Sequence, residues 1–108
     1  MNTVVLATCR LTEQCERIVS AITTHTPASS RESCNKAIQE AKNVSSVLRE
    51  MIDSKDLTPE AEFSMLKLAI ESSAKLLILS RLIQINGSDD LEDSLRRAIA
   101  VLEVIKPK

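Results

Sequence analysis

Residues 58–85 read TPEAEFSMLKLAIESSAKLLILSRLIQI, and they decide the fold class. Thr58 can act as a helix N-cap. Pro59 follows at the first helical position, where no N–H is needed, and Glu60 and Glu62 face the positive end of the helix dipole. Leu66, Ile70 and Leu77, with Met65, Ala69, Leu76, Leu79 and Ile83 beside them, then recur at the spacing of one wide helical face. The pattern predicts a helix to about Ile85, stopped by Asn86-Gly87 because glycine can take the left-handed conformation.

Working outward, three more segments carry the same period. Val4, Thr8, Leu11, Cys15, Ile18 and Ile22 step by fours and threes. Thr23 to Ala28 has no period, and Pro27 disfavours helix at the residue before it, so a loop is expected there, with His25 inside it. Ser29 and Glu32 have the spacing of a capping box. Beyond them Cys34, Ala37, Ala41, Val44, Leu48 and Met51 form a stripe widened by Ile38 and Ile52. In the last segment Leu91, Leu95, Ala98, Leu102 and Ile105 do the same behind an acidic start at Asp89, Asp90, Glu92 and Asp93. Glu13–Arg17, Glu32–Lys36, Glu71–Lys75, Glu92–Arg96 and Asp93–Arg97 are spaced for pairing along a helix, acid first.

The expected fold is all-α: an up-and-down antiparallel four-helix bundle over residues 1–108 as one domain, with helices at about 3–22, 30–53, 59–85 and 89–106. Composition agrees. Phe63 is the one aromatic residue and Gly87 the one glycine, whereas strands favour aromatics and their turns need glycine.

Composition also narrows function. A net charge of −1 and a single aromatic give neither the basic surplus nor the stacking platforms of nucleic-acid binders. The longest apolar run, Ala98 to Leu102, is far short of a membrane span. The first residues lack a basic leader pattern, and the three cysteines are an odd number, so free thiols in a cytoplasmic protein are expected. On that footing the sequons at Asn43-Val44-Ser45 and Asn86-Gly87-Ser88 are chance matches.

No catalytic set stands out. His25 has no nucleophile or carboxylate that the sequence brings to it. Cys9, Cys15 and Cys34 are spaced by six and nineteen, unlike a zinc knuckle, and Cys15 and Cys34 fall on core stripes. No phosphate loop, nucleophile elbow or calcium loop is present. Thr26-Pro27 and Thr58-Pro59 have the form of proline-directed phosphate acceptors, but a loop proline and a helix-start proline are the preferred account of them. The expectation is a protein that is not an enzyme and has no cofactor or metal.

One feature remains. Glu60, Ser64, Lys67, Glu71 and Lys75 make a solvated stripe on the third helix, and the same spacing then reaches Ile78, Leu82 and Ile85. Either the other helices or the first loop cover this end, or the three residues stand exposed as a wall for a partner, with Lys75 and Arg81 at its rim. An amphipathic helix of another protein would be the ligand, and a second copy of the chain is the alternative.

The four stripes, and the run Leu66-Lys67-Leu68-Ala69-Ile70-Glu71-Ser72-Ser73-Ala74-Lys75-Leu76-Leu77, resemble the four-helix bundles of adhesion and cytoskeletal scaffolds. These are the focal-adhesion-targeting, talin-rod and vinculin-type bundles and the actin-binding bundle of Abl-type kinases. The run departs from a vinculin-binding helix in lacking an Ala- and Val-rich core. The resemblance implies scaffold or adaptor binding of protein partners, or contact with the actin cytoskeleton.

Overall fold

The computed structural model describes residues 2–25 and 28–106, and the side chains of residues 28–31 and 33 are left aside. Its four helices are α1 (Thr3–His25), α2 (Ala28–Asp53), α3 (Pro59–Leu82) and α4 (Ser88–Ile105). They pack as an all-α four-helix bundle about 45 Å long and 22–23 Å across.

Two side-chain caps set one end of the rod. Asn2 Oδ1 accepts from Val5 N–H at 2.8 Å, and Thr58 Oγ1 accepts from Ala61 N–H at 3.1 Å. Asn2 Nδ2 also donates to Glu62 Oε2 at 2.8 Å, so α1 and α3 start side by side and run parallel. With short links on either side of α3, the up-and-down course follows. α1 touches all three other helices, α3 does the same, and α2 and α4 do not meet.

The α1–α3 diagonal is close because small residues line it. Thr8, Thr12 and Cys15 of α1 and Ala69, Ser73 and Ser80 of α3 are all buried. Their polar atoms are satisfied locally, which removes the penalty of burying them. Thr8 Oγ1 donates to the Val4 carbonyl, Thr12 Oγ1 to that of Thr8, and Ser80 Oγ to that of Leu77, at 2.8–2.9 Å. Cys15 Sγ and Ser73 Oγ share a hydrogen bond of 3.2 Å across the diagonal. Around this seam Leu11, Ile18, Ile22, Met65, Leu66 and Leu91 are the best-buried large side chains.

Several boundaries differ from the expected ones. α1 runs on to His25, which is helical and exposed, because the restriction from Pro27 reaches back only to residue 26. Thr26-Pro27 itself lies outside the described residues. α2 already begins at Ala28, so Ser29 sits inside its first turn and not at the N-cap. Of the five expected ion pairs along helices, Glu92–Arg96 and Asp93–Arg97 form, each at 3.2 Å. Glu13–Arg17, Glu32–Lys36 and Glu71–Lys75 are absent from the ion pairs among the described residues.

The largest difference is at the end of α3. The helix stops at Leu82, and the left-handed residue that closes it is Gln84 (φ 57°), not Gly87. Gln84 N–H bonds to the Arg81 carbonyl at 3.3 Å and Ile85 N–H to that of Ser80 at 2.8 Å, the paired bonds of a Schellman ending. Gly87, also left-handed (φ 98°), is instead the N-cap of α4. Stopping early turns Ile85 inward against the core. Half-burying this isoleucine is worth about 1 kcal/mol, which offsets the roughly 1–2 kcal/mol that a left-handed glutamine costs.

Two substitutions of opposite sign test this turn. Gln84→Gly is expected to stabilise the fold by about 0.5–1 kcal/mol, since glycine takes the left-handed conformation freely. Gly87→Ala is expected to destabilise it by about 1 kcal/mol or slightly more, although its added methyl would meet only Ile18 Cδ1 at 3.7 Å. Urea unfolding curves read both, and equal effects from the two would contradict the assignment of roles.

Candidate interaction surface

Ile78 and Leu82 stand in solvent, 63% and 76% exposed, one turn apart on the outward face of α3. They continue the exposed stripe Glu60, Ser64, Lys67, Glu71 and Lys75, as the spacing implied. None of the other described helices covers them. The expected third member does not join them: Ile85 is half-buried, because α3 has ended before it. Single exposed aliphatics occur elsewhere, including Val104 at 84%, and need no special account. Two large ones in one turn at a helix end are less ordinary.

The basic residues near them take different roles. Arg81 is held by α4: its Nη2 donates to Glu92 Oε2 at 2.7 Å and to Asp89 Oδ1 at 3.5 Å. Glu92 also accepts from Arg96 Nη2 at 3.2 Å, and the hydrogen bond from Arg81, foremost among its causes, holds this carboxyl below the usual glutamate value. Arg81 thus ties α3 to α4 where a free rim charge was expected. Lys75 is exposed and forms no ion pair among the described residues.

Lys75 also lines a groove between α2 and α3, the most loosely packed of the adjoining helix pairs. Its volume is about 130 Å³. Ala37, Ala41, Val44, Leu68 and Leu76 supply its apolar surface, and Glu40 and Glu71 stand on its two banks. The sequence reading missed this groove. Its signal was there in the small residues at Ala37, Ala41 and Ser72, which leave room between two helices that larger side chains would fill. Ala37, placed on the core stripe by its spacing, is exposed.

A larger recess of about 550 Å³ lies between α1 and α2. Apart from Val19 its lining is polar or charged, and the Arg49–Glu16 ion pair spans from one helix to the other there. Glu16 raises the Arg49 pKa by hydrogen bonding to it.

Cys9 and Cys15 are poorly disposed to react as nucleophiles. Burial pushes Cys9 and Cys15 above the ordinary thiol value. Arg49 opposes the shift at Cys9 and the Ser73 hydrogen bond opposes it at Cys15, each to a smaller extent. All three cysteines are free, with Cys15 and Cys34 buried. Among the described residues no group of three or more His, Cys, Asp or Glu side chains could hold a metal ion, and no helix is long and apolar enough to cross a membrane. Thr58, one of the two threonines that precede a proline, is occupied as the α3 cap.

No protein-family model matches this chain, and no curated protein or solved structure matches it either.

Proposed function

We propose that this chain is a non-catalytic interaction module, a scaffold or adaptor bundle that takes a short amphipathic helix of another protein against the second half of α3. Ile78 and Leu82 are its apolar anchors and Lys75 its polar edge. Arg81 and Ile85 act from behind, Arg81 by fixing α3 to α4 and Ile85 by anchoring the turn to the core. The observation that carries this reading is the exposure of Ile78 and Leu82. Each forgoes about 1.5–3 kcal/mol of burial, a concession that a binding surface would explain.

A homodimer through the same face is the alternative. Two side chains supply only a fraction of the roughly 800 Å² per partner that stable interfaces cover, which favours a short ligand over a second copy. The free thiols support a cytoplasmic setting. The likeness to adhesion and cytoskeletal bundles makes a cytoskeletal partner the first class to try.

The test compares wild type with Ile78→Glu/Leu82→Glu. Both side chains are exposed, so the double variant should keep its helical circular dichroism and its unfolding midpoint. Wild type should be a monomer by light scattering and should retain cellular proteins that the variant loses. Identical capture profiles would sink the proposal. A wild-type dimer that the variant abolishes would replace it with self-assembly. Co-sedimentation with filamentous actin separates a cytoskeletal ligand from other proteins.

A further inference from the structure

Granted the interaction reading, we infer that the α2–α3 groove is the seat of a fifth helix, supplied by the partner, with an apolar stripe and basic residues beside it. The pattern on both banks supports this. On α2, Ala37, Glu40 and Val44 line the groove, and Val47 and Met51 continue their spacing past one end of it. On α3, Leu68, Ser72 and Lys75 line the other side, and Leu79 and Leu82 continue their spacing past the groove's opposite end, because the two helices run antiparallel. Val44, Met51, Leu68 and Leu79 are half-buried, while Val47 and Leu82 are exposed. Two neighbouring flanks with heptad spacing and unfinished burial are what a helix needs to pack into a bundle. Ala37, Ala41 and Ser72 keep the floor low, so the incoming backbone can approach closely.

The dimensions suit one short segment. From Met51 at one end to Leu82 at the other the seat spans ~30 Å, about five and a half turns of helix. Ile78 and Leu82 then lie at the upper end of the seat and grip the segment's last turns.

Charge and shape choose the occupant. Glu40 and Glu71 stand on opposite banks, and neither forms an ion pair among the described residues. A helix lying between them gains from Lys or Arg on both sides of its apolar stripe, and from an acidic residue toward Lys75. A second copy does not fit. A two-fold interface sets the same patch against itself, and two grooves face to face would enclose a gap where a convex helix is needed.

The probe is a displayed library of amphipathic helices of about 20 residues with randomised flanking positions, selected on the wild-type bundle. Enriched peptides should carry Lys or Arg beside the stripe. Their amide-shift footprint should follow both banks, from Ala37 to Met51 and from Leu68 to Leu82. Glu40→Lys/Glu71→Lys, both at exposed positions, should weaken them about tenfold and remove most of the salt dependence. Peptides indifferent to that charge reversal, or with a footprint confined to Ile78 and Leu82, overturn the groove and leave the interaction reading standing. Failure to enrich any helical peptide, or a footprint on another face, overturns both.

Discussion

Leu66→Ala is expected to lower the free energy of unfolding by about 3 kcal/mol, and by no less than about 2. Leu66 has no exposed surface, and neither does its neighbour Met65. It lies on α3, which contacts every other helix, so the surroundings are braced on all sides and can close only partly over the gap. The loss therefore combines the transfer free energy of the removed carbons with a cavity term. Set against a total of about 5–15 kcal/mol for a domain of this kind, it consumes a large share of the stability. Leu82→Ala is the matched control. The same atoms are removed from a side chain 76% exposed, and the effect should stay within about 0.5 kcal/mol. Urea unfolding followed by helical circular dichroism reads both. Similar losses at the two positions would contradict the assignment of Leu66 to the interior and Leu82 to the surface.

Ser73→Leu is expected to cost about 1–3 kcal/mol, although it exchanges a polar side chain for an apolar one in the core. Polarity is not what the position selects. Ser73 is fully buried where α1 and α3 meet, with Cys15 bonded to it at 3.2 Å and Ala69 one turn away. A leucine there must push the two helices apart or leave its preferred rotamers, and it also removes the hydrogen-bond partner of Cys15. Ser73→Ala, which keeps the seam narrow, should cost about 1 kcal/mol or less. If the leucine variant were as stable as wild type, the diagonal would not be close-packed.

The core was legible where the period is strict and the residues are apolar. Val4, Thr8, Leu11, Cys15, Ile18 and Ile22 are all buried, and so are Leu91, Leu95 and Ala98. On α3 the wide apolar face is in place, with Met65, Leu66, Ala69 and Leu76 at its centre. Ser73 and Ser80 were harder to see. Hydrophobic patterning counts serine as polar, whereas a close helix crossing selects for size and lets the hydroxyl bond inside the seam. The end of α3 was misplaced because glycine is the usual left-handed residue. Here Gly87 serves the start of α4, and the inward turn of Ile85 compensates a left-handed Gln84. The exposed pair Ile78 and Leu82 could be named from spacing, but its exposure could not, since that depends on where three other helices end. The groove beside it depends on how loosely two helices pack, and a one-dimensional pattern does not contain that.

The central place of α1 has a consequence for the order of assembly. Its neighbours are the second, third and fourth helices of the bundle. During synthesis α1 emerges before the other three helices and therefore waits longest for its complete set of contacts, and closing the α1–α4 interface brings together segments separated by two intervening helices. A helical protein assembled only from sequence neighbours would escape that delay. In this bundle the fourth helix seals the first.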